Sequence, residues 1–280
     1  LDIKPAESEP TPIESGPTEE MATSGIIYSS TPNAGPSKGI IYYTDNQLQI
    51  KIAHTVQRQL RKISGARGIP IVSASLKPMP HFGEKNIFFP DLKRGYLAMF
   101  KQILGALENS WTDVVFFCEA DVLYHPSHFD FTPPSKDKFY YNENVWKMNA
   151  ETGHSIHYNC KQVSGICVDR ELAIEHYRKR VKAVEKMMQK LPEPVEFNRF
   201  IRKMGFEPGT HNRKERIDEA KSEGWMSEFP NVDIRHGANL SPTRWKKEQF
   251  RDQKYTQGWI ESDSEIPGWG KTLDLIKKFN

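Results

Sequence analysis

Long apolar runs are missing from this chain. No stretch approaches the roughly 20 residues that span a bilayer, and no basic segment followed by an apolar core marks a secretory signal. Cysteine is scarce too. Cys118, Cys160 and Cys167 make an odd number at no zinc-like spacing, which argues for reduced thiols and a cytoplasmic setting rather than a disulfide framework. Neither sign of charge dominates: 39 Lys and Arg against 36 Asp and Glu leave a net charge of +3 and a pI of about 8.6. That balance is too mild to imply a nucleic-acid partner by itself.

What is present is a soluble, globular composition with polar extensions: 280 residues, 37% hydrophobic, 27% charged, mean hydropathy -0.66. The length allows one large domain or two small ones. Residues 1 to 38 are rich in Pro, Ser, Thr, Glu and Gly with little periodicity, which predicts a flexible leader. Within it, Met21 is a candidate native start. Gly25-Ile-Ile-Tyr28 recurs as Gly39-Ile-Ile-Tyr42, so the first copy is a candidate edge strand.

From Gly39 onward strands and helices alternate. The runs Gly39 to Tyr43, Ile69 to Ala74 and Val114 to Cys118 have strand length and β-rich composition. Leu48 to Ile63 and Asp91 to Asn109 place apolar residues at helical spacing, and Ser75 to Pro90 reads as a loop. A β-α-β-α-β order implies an α/β fold with a mostly parallel sheet flanked by helices. Thr44, Asp45 or Asn46 can cap the first helix; equally, Asp45 can contact a nucleotide from the carboxyl end of its strand.

Beyond His125 the chain is aromatic and loop-rich. Phe139 to Tyr141 and Gln162 to Val168 are expected strands, with Trp146 and His154 in connecting turns. Glu171 to Leu191 is a long basic helix whose Arg178, Lys179, Arg180, Lys182, Lys186 and Lys190 read as a solvated face, the alternative being a nucleic-acid contact. Pro192 to Glu196 opens a helix ending near Met204-Gly205. Residues 207 to 228 read as irregular, Val232 to Ile234 as a short strand, and the last forty residues as a tail wrapping the domain.

The chemistry gathers behind Val114 to Cys118, where Glu119 and Asp121 stand one residue apart. Open α/β sheets bind ligands at the carboxyl ends of their strands. Two carboxylates there can hold a hard divalent cation against phosphate oxygens, or simply close the strand and face water.

Taken in order, Thr44-Asp45, Glu119-Ala-Asp121, Val163 to Arg170, Glu193-Pro-Val-Glu196 and His236 resemble the parts of a glycosyltransferase of the GT-A fold, most similar to family 2-like enzymes. The resemblance covers about residues 39 to 240 and implies one GT-A-like domain between the leader and the tail 241 to 280. It implies a UDP- or GDP-sugar donor, an acceptor it does not identify, and Mn2+ or Mg2+. Asp121 matches the last carboxylate of the family's Asp-x-Asp metal signature, and His236 the histidine that completes the metal shell. Thr44, Asp45 and Glu119 match positions on the nucleotide, with Glu119 replacing the signature's first Asp.

The chain also departs from the pattern. The family's Glu-Asp pair, whose Asp is the catalytic base, is replaced by Glu193-Pro-Val-Glu196. Ser241-Pro-Thr-Arg-Trp245 only partly echoes its Gln-x-x-Arg-Trp motif. Glu196, near a helix N-terminus whose dipole favours an ionised carboxylate, is the expected base, with Glu193 and Glu207 behind it. Two other readings stand beside this one: a GT-A-shaped scaffold without catalysis, and a nucleic-acid binder using the helix from Arg178 to Lys190.

Overall fold

In the computed structural model the first strand, β1 (Lys38–Thr44), is buried on both faces. Its side chains alternate between two cores. Ile40 and Tyr42 pack with Ile52, Val56 and Leu60 of helix α1 (Ile50–Arg67), while Ile41 and Tyr43 pack with Phe100, Ile103 and Leu107 of helix α2 (Tyr96–Glu108). A strand with period-two side chains and buried apolar residues on both faces, as from Ile40 to Tyr43, belongs inside a three-layer stack. The structure describes residues 35–191, 200–201, 204–210, 220–237, 239 and 242–279. These fall within one compact unit, Gly35–Asn280.

On one side β1 pairs in parallel with β2 (Ile71–Ser75), which pairs with β3 (Lys85–Phe88); on the other it pairs in parallel with β4 (Val114–Glu119). Next to β4 lies β9 (Ile166–Asp169), then β6 (Lys138–Asn142) and β10 (Lys221–Trp225). The full order is β10-β6-β9-β4-β1-β2-β3, and only β9 runs against the rest. This is the mostly parallel α/β sheet flanked by helices that the sequence implies. Helix α3 (Arg170–Lys190) follows β9, capped by Asp169, and buries Ala173, Ile174, Tyr177, Val181 and Val184 against the α2 side.

A second sheet has the order β12-β8-β7-β11-β5, from Ile260–Ser262, Ser155–His157, Val145–Asn149, Asn231–Arg235 and Val122–Leu123 respectively. Only two residues separate β4 from β5, so the chain steps from one sheet to the other across Ala120-Asp121. The C-terminal stretch packs on this side. Leu275, of the short helix α4 (Thr272–Ile276), and Phe279 are buried in the α1 core, and the Trp269 indole donates to the Pro230 carbonyl at 2.7 Å.

Several elements differ from the sequence expectation. The expected loop Ser75 to Pro90 contains β3. As a four-residue edge strand with Lys85 and Phe88 exposed, it has no alternation to read. Asn86 fastens it, donating to Ser73 and Ser75 at 2.9 and 3.0 Å. β10 lies inside the stretch read as irregular, and Trp146 sits in β7 rather than in a turn. None of Thr44, Asp45 or Asn46 caps α1, which starts after Gln49 without a side-chain cap. Asn46 instead takes a left-handed φ of 57° and accepts the Leu76 and Lys77 amides at 2.9 and 2.8 Å, tying this turn to the end of β2.

The basic face of α3 is also less free than its composition suggests. Arg180 is buried, donating to the Gly205 carbonyl at 2.6 Å, with its guanidinium 5.1 Å from the Phe100 ring centre. Arg178 pairs with Glu108 and Lys179 with Glu175. The expected edge strand at Gly25 to Tyr28 and most of the expected helix from Val195 to Met204 lie outside the described residues. Among the described residues, no helix is long and apolar enough to cross a membrane.

His128 is fully buried beneath β4, stacked on Trp225. Its Nδ1 faces the side-chain amides of Asn142 and Asn231 at 3.0 and 3.1 Å. Two amide donors on one ring nitrogen require it to be an acceptor, so the ring is neutral. Burial pushes the imidazole down to about 3. Because the unfolded chain binds a proton near pH 6.5 that the folded chain takes up only near 3, stability is complete above about 6.5 and falls as the pH drops through that window. Urea unfolding should show a loss of about 2–3 kcal/mol from this group between pH 7 and pH 4.5. His128→Gln should be less stable at pH 7 but lose less on acidification; an unchanged acid slope would assign the effect to other groups.

Candidate functional site

The carboxyl ends of β1 and β4 lie side by side, with Tyr43 opposite Glu119 in the ladder. From there the chain crosses to the second sheet, where β11 leaves in the same neighbourhood. The Ile234 amide donates to the Asp121 carbonyl at 2.8 Å, which fixes the exit of β11 against the entry to β5. A cavity of about 280 Å³ opens at this junction, lined by Thr44, Asp45, Glu119, Asp121 and His236, the five described residues that the resemblance assigns to nucleotide and metal, and by Glu207, the alternative base. Glu196 and Glu193 lie outside the described residues.

Each of the five is held differently. Thr44 is buried; its hydroxyl accepts the Asn46 amide, and its carbonyl accepts the Gln102 side chain at 2.7 Å. Asp45 is bonded to Arg94 at 2.5 Å and accepts the Gln47 amide. Glu119 accepts the Tyr43 hydroxyl at 2.6 Å. Burial and repulsion from Asp121 push its carboxyl up to about 8, the Tyr43 hydrogen bond opposing them. Asp121 is more open, with Oδ2 3.4 Å from His236 Nε2. The Asn239 side-chain amide bridges the two, 2.8 Å from the carboxylate oxygen and 3.2 Å from the imidazole nitrogen.

Sequence reasoning missed several members of this wall. Asp233 and Arg235 alternate with buried Val232 and Ile234 along β11, so they share the face opposite the core. That alternation was the available signal, a charged face on a strand too short to be exposed on both sides. Arg235 Nη1 reaches both Asp233 oxygens at 3.2 and 3.3 Å. Burial raises the Asp233 carboxyl, Arg235 lowers it and nearby Asp121 raises it again. Arg94 and Tyr96 enter from the start of α2. Tyr96 stacks on Phe206 with ring centres 4.7 Å apart, and Glu207, which the sequence analysis did name, lines the cavity next to it. Burial raises the Glu207 carboxyl, partly opposed by its backbone hydrogen bonds and by Arg180.

The arrangement is an acidic cleft between two sheets, with Glu119, Asp121, Asp233 and Glu207 in its wall. Such a wall favours a cation and groups that bring one.

No family model matches the chain, and no curated protein matches it. Among solved structures it is similar to a glycosyltransferase involved in glycosylation of the major capsid of PBCV-1, at 11% identity over 68% of this chain and 82% of that one, with a TM-score of 0.38. It is also similar to the catalytic domain of Drosophila β1,4-galactosyltransferase 7 in complex with xylobiose, at 12% identity and a TM-score of 0.31. A mutant of that Drosophila enzyme, in complex with manganese, UDP-Gal and xylobiose, gives 13% and 0.31. The match covers 51% of this chain and 51% of each Drosophila chain. All three are glycosyltransferases, but likeness this slight does not assign the fold, which stands on the strands and helices described above.

Proposed function

We propose that this chain is a glycosyltransferase that takes a sugar from a UDP- or GDP-sugar with the help of Mn2+ or Mg2+. The observation that carries the reading is the meeting of Asp45, Asp121 and His236 in one cavity at the carboxyl ends of β1 and β4. The same class of proteins is what the chain resembles in motif order.

The donor set suits a divalent ion. A carboxylate oxygen and an imidazole nitrogen stand 3.4 Å apart, and one amide group already serves both as hydrogen-bond donor. Among the described residues no group of three or more His, Cys, Asp or Glu is arranged to hold a metal. Asp121 and His236 would therefore be the protein's share, the remainder falling to phosphate oxygens and water, as is usual for these ions. An imidazole ligand favours Mn2+ over Mg2+. When bound, the ion offsets the negative charge gathering on the departing nucleoside diphosphate.

The chain's own residues do the rest. Asp45, held by Arg94, offers its carboxylate to the ribose or base. Glu119, clasped by Tyr43, shapes the floor beside it. The acceptor hydroxyl needs a carboxylate base within hydrogen-bond reach. Of Glu193, Glu196 and Glu207, the three expected on the acceptor side, Glu207 is the described one, and it opens on the cavity.

Calorimetric titration of UDP and of GDP, with and without Mn2+, tests the reading. At least one nucleotide should bind tenfold or more tighter with the ion; affinity indifferent to Mn2+ would remove the metal from the mechanism.

A further inference from the structure

Gly205-Phe-Glu-Pro-Gly209 brings Phe206 and Glu207 to the cavity wall, and this short loop is held along most of its backbone. The Arg180 guanidinium of α3 donates to the Gly205 carbonyl at 2.6 Å, the Tyr141 hydroxyl of β6 to that of Pro208 at 2.7 Å, and the Ser222 hydroxyl of β10 to that of Gly209 at 2.9 Å. Thr210 closes the turn, its hydroxyl donating to the Glu207 carbonyl, also at 2.9 Å. Gly205 and Gly209 take left-handed φ values of 77° and 73°, and a Cβ on Gly209 would meet the Lys221 backbone at 2.7 Å. A catalytic side chain needs such support, since small displacements cost rate steeply.

One tie differs in kind. Neutral hydroxyls suffice for Pro208 and Gly209, yet Gly205 is held by a cation that is 3% exposed. Its guanidinium carbon lies 5.1 and 5.8 Å from the ring centres of Phe100 and Tyr177, and its Nε donates to His176 Nε2 at 3.0 Å. A ring nitrogen that accepts belongs to a neutral imidazole, so His176 brings no charge of its own. Burying a guanidinium is costly unless an anion answers it. Glu207 is such an anion. Burial raises its carboxyl, and after its own backbone bonds Arg180 and then Lys147 of β7 favour the ionised form.

We infer that Arg180 is a positioning residue for the transfer: it fixes the Glu207 loop through the Gly205 carbonyl and supplies a positive charge to the base's surroundings. This rests on the reading of Glu207 as the base. The other charged groups in the cavity wall are the Asp45–Arg94 and Asp233–Arg235 pairs, Glu119, Asp121 and His236, and no variant used in the test alters them.

The test uses the full chain with Arg180→Gln, which keeps a donor without the charge, Arg180→Lys, which keeps the charge, and Glu207→Gln. NMR of the glutamate carboxyl carbons, without Mn2+ and with Glu207→Gln to assign the signal, follows the Glu207 titration directly. Hydrolysis of UDP-glucose, UDP-galactose and GDP-mannose with Mn2+ reads turnover: a water oxygen bonds the anomeric carbon, its proton passes to Glu207, and the nucleoside diphosphate leaves. Arg180→Gln should move the Glu207 midpoint further up and cut turnover at pH 7 about tenfold. Part of the rate should return at higher pH, with UDP and GDP affinity unchanged. Arg180→Lys should stay near the wild-type midpoint, and Arg180→Gln added to Glu207→Gln should cost no further turnover. An unmoved midpoint, or an equal loss of turnover with and without Glu207, makes Arg180 merely structural and overturns the assignment. Should Arg180→Gln fail to fold, a fold regained in its combination with Glu207→Gln supports the pairing, and failure of both overturns it. Near-normal turnover in Glu207→Gln overturns the base reading and this assignment together. A loss of about a hundredfold there, beside an unaltered Arg180→Gln, overturns this assignment alone. A wild type that hydrolyses none of these donors overturns the donor reading, and this assignment with it.

Discussion

Asp121→Ala is expected to lower sugar transfer by a hundredfold or more and to remove the Mn2+ dependence of nucleotide binding. The side chain is, among the described residues, the carboxylate paired with His236, and it lines the cavity at the point where the chain leaves the first sheet. Losing it takes away one of the two protein ligands proposed for the ion, and charge stabilisation by a metal is worth several kcal/mol at a transition state. Folding should survive the change. Asp121 raises the carboxyl groups of both Glu119 and Asp233 by repulsion, so the variant relieves crowding of like charge. Its melting temperature without ligand should equal or exceed that of the wild type. Calorimetry with and without Mn2+, beside a thermal melt, separates the two effects. An Mn2+ response that survives the substitution would move the ion elsewhere.

The second large effect is expected at Glu207. Glu207→Gln should cut transfer about a hundredfold, the size expected for loss of a general base, while donor affinity holds. Glu207 lines the cavity next to Phe206, whose ring stacks on Tyr96, and burial raises its carboxyl above its ordinary range. A base with a raised value works best closer to neutral pH. The rate should therefore rise with pH as this group loses its proton, with a midpoint above that of an exposed glutamate. Steady-state kinetics across pH on both proteins, with Glu196→Gln as comparison, decide the matter. Near-normal turnover in Glu207→Gln would pass the role to Glu196.

Much of the scaffold was readable because the central strands are buried on both faces. Unbroken apolar runs, Ile40 to Tyr43 and Val114 to Cys118, form the middle of β1 and β4, and amphipathic spacing marks α1, α2 and α3. The edges were not readable. β3 and β10 carry charged and exposed residues, and backbone pairing to a neighbour, which leaves no mark in composition, makes them strands. Arg180 was misread for a related reason. Its interior partners, Gly205 and the Phe100 ring, are distant in sequence. At the site, Asp45, Glu119, Asp121 and His236 were legible as polar residues closing apolar strands. Asp233, Arg235 and Asn239 were not, because what joins them to the others is the crossing between two sheets.

That crossing has a mechanical consequence. Asp121 and His236 are not carried on independent loops that must find each other. The backbone bond from Ile234 to the Asp121 carbonyl clamps the two strand exits, and β5 and β11 continue the ladder behind them. The separation of the two side chains is thus gauged by main-chain geometry and is set once the sheets have assembled. A ligand that engages both acts as a rivet through two plates, and whatever tilts one sheet against the other changes the hole it must pass.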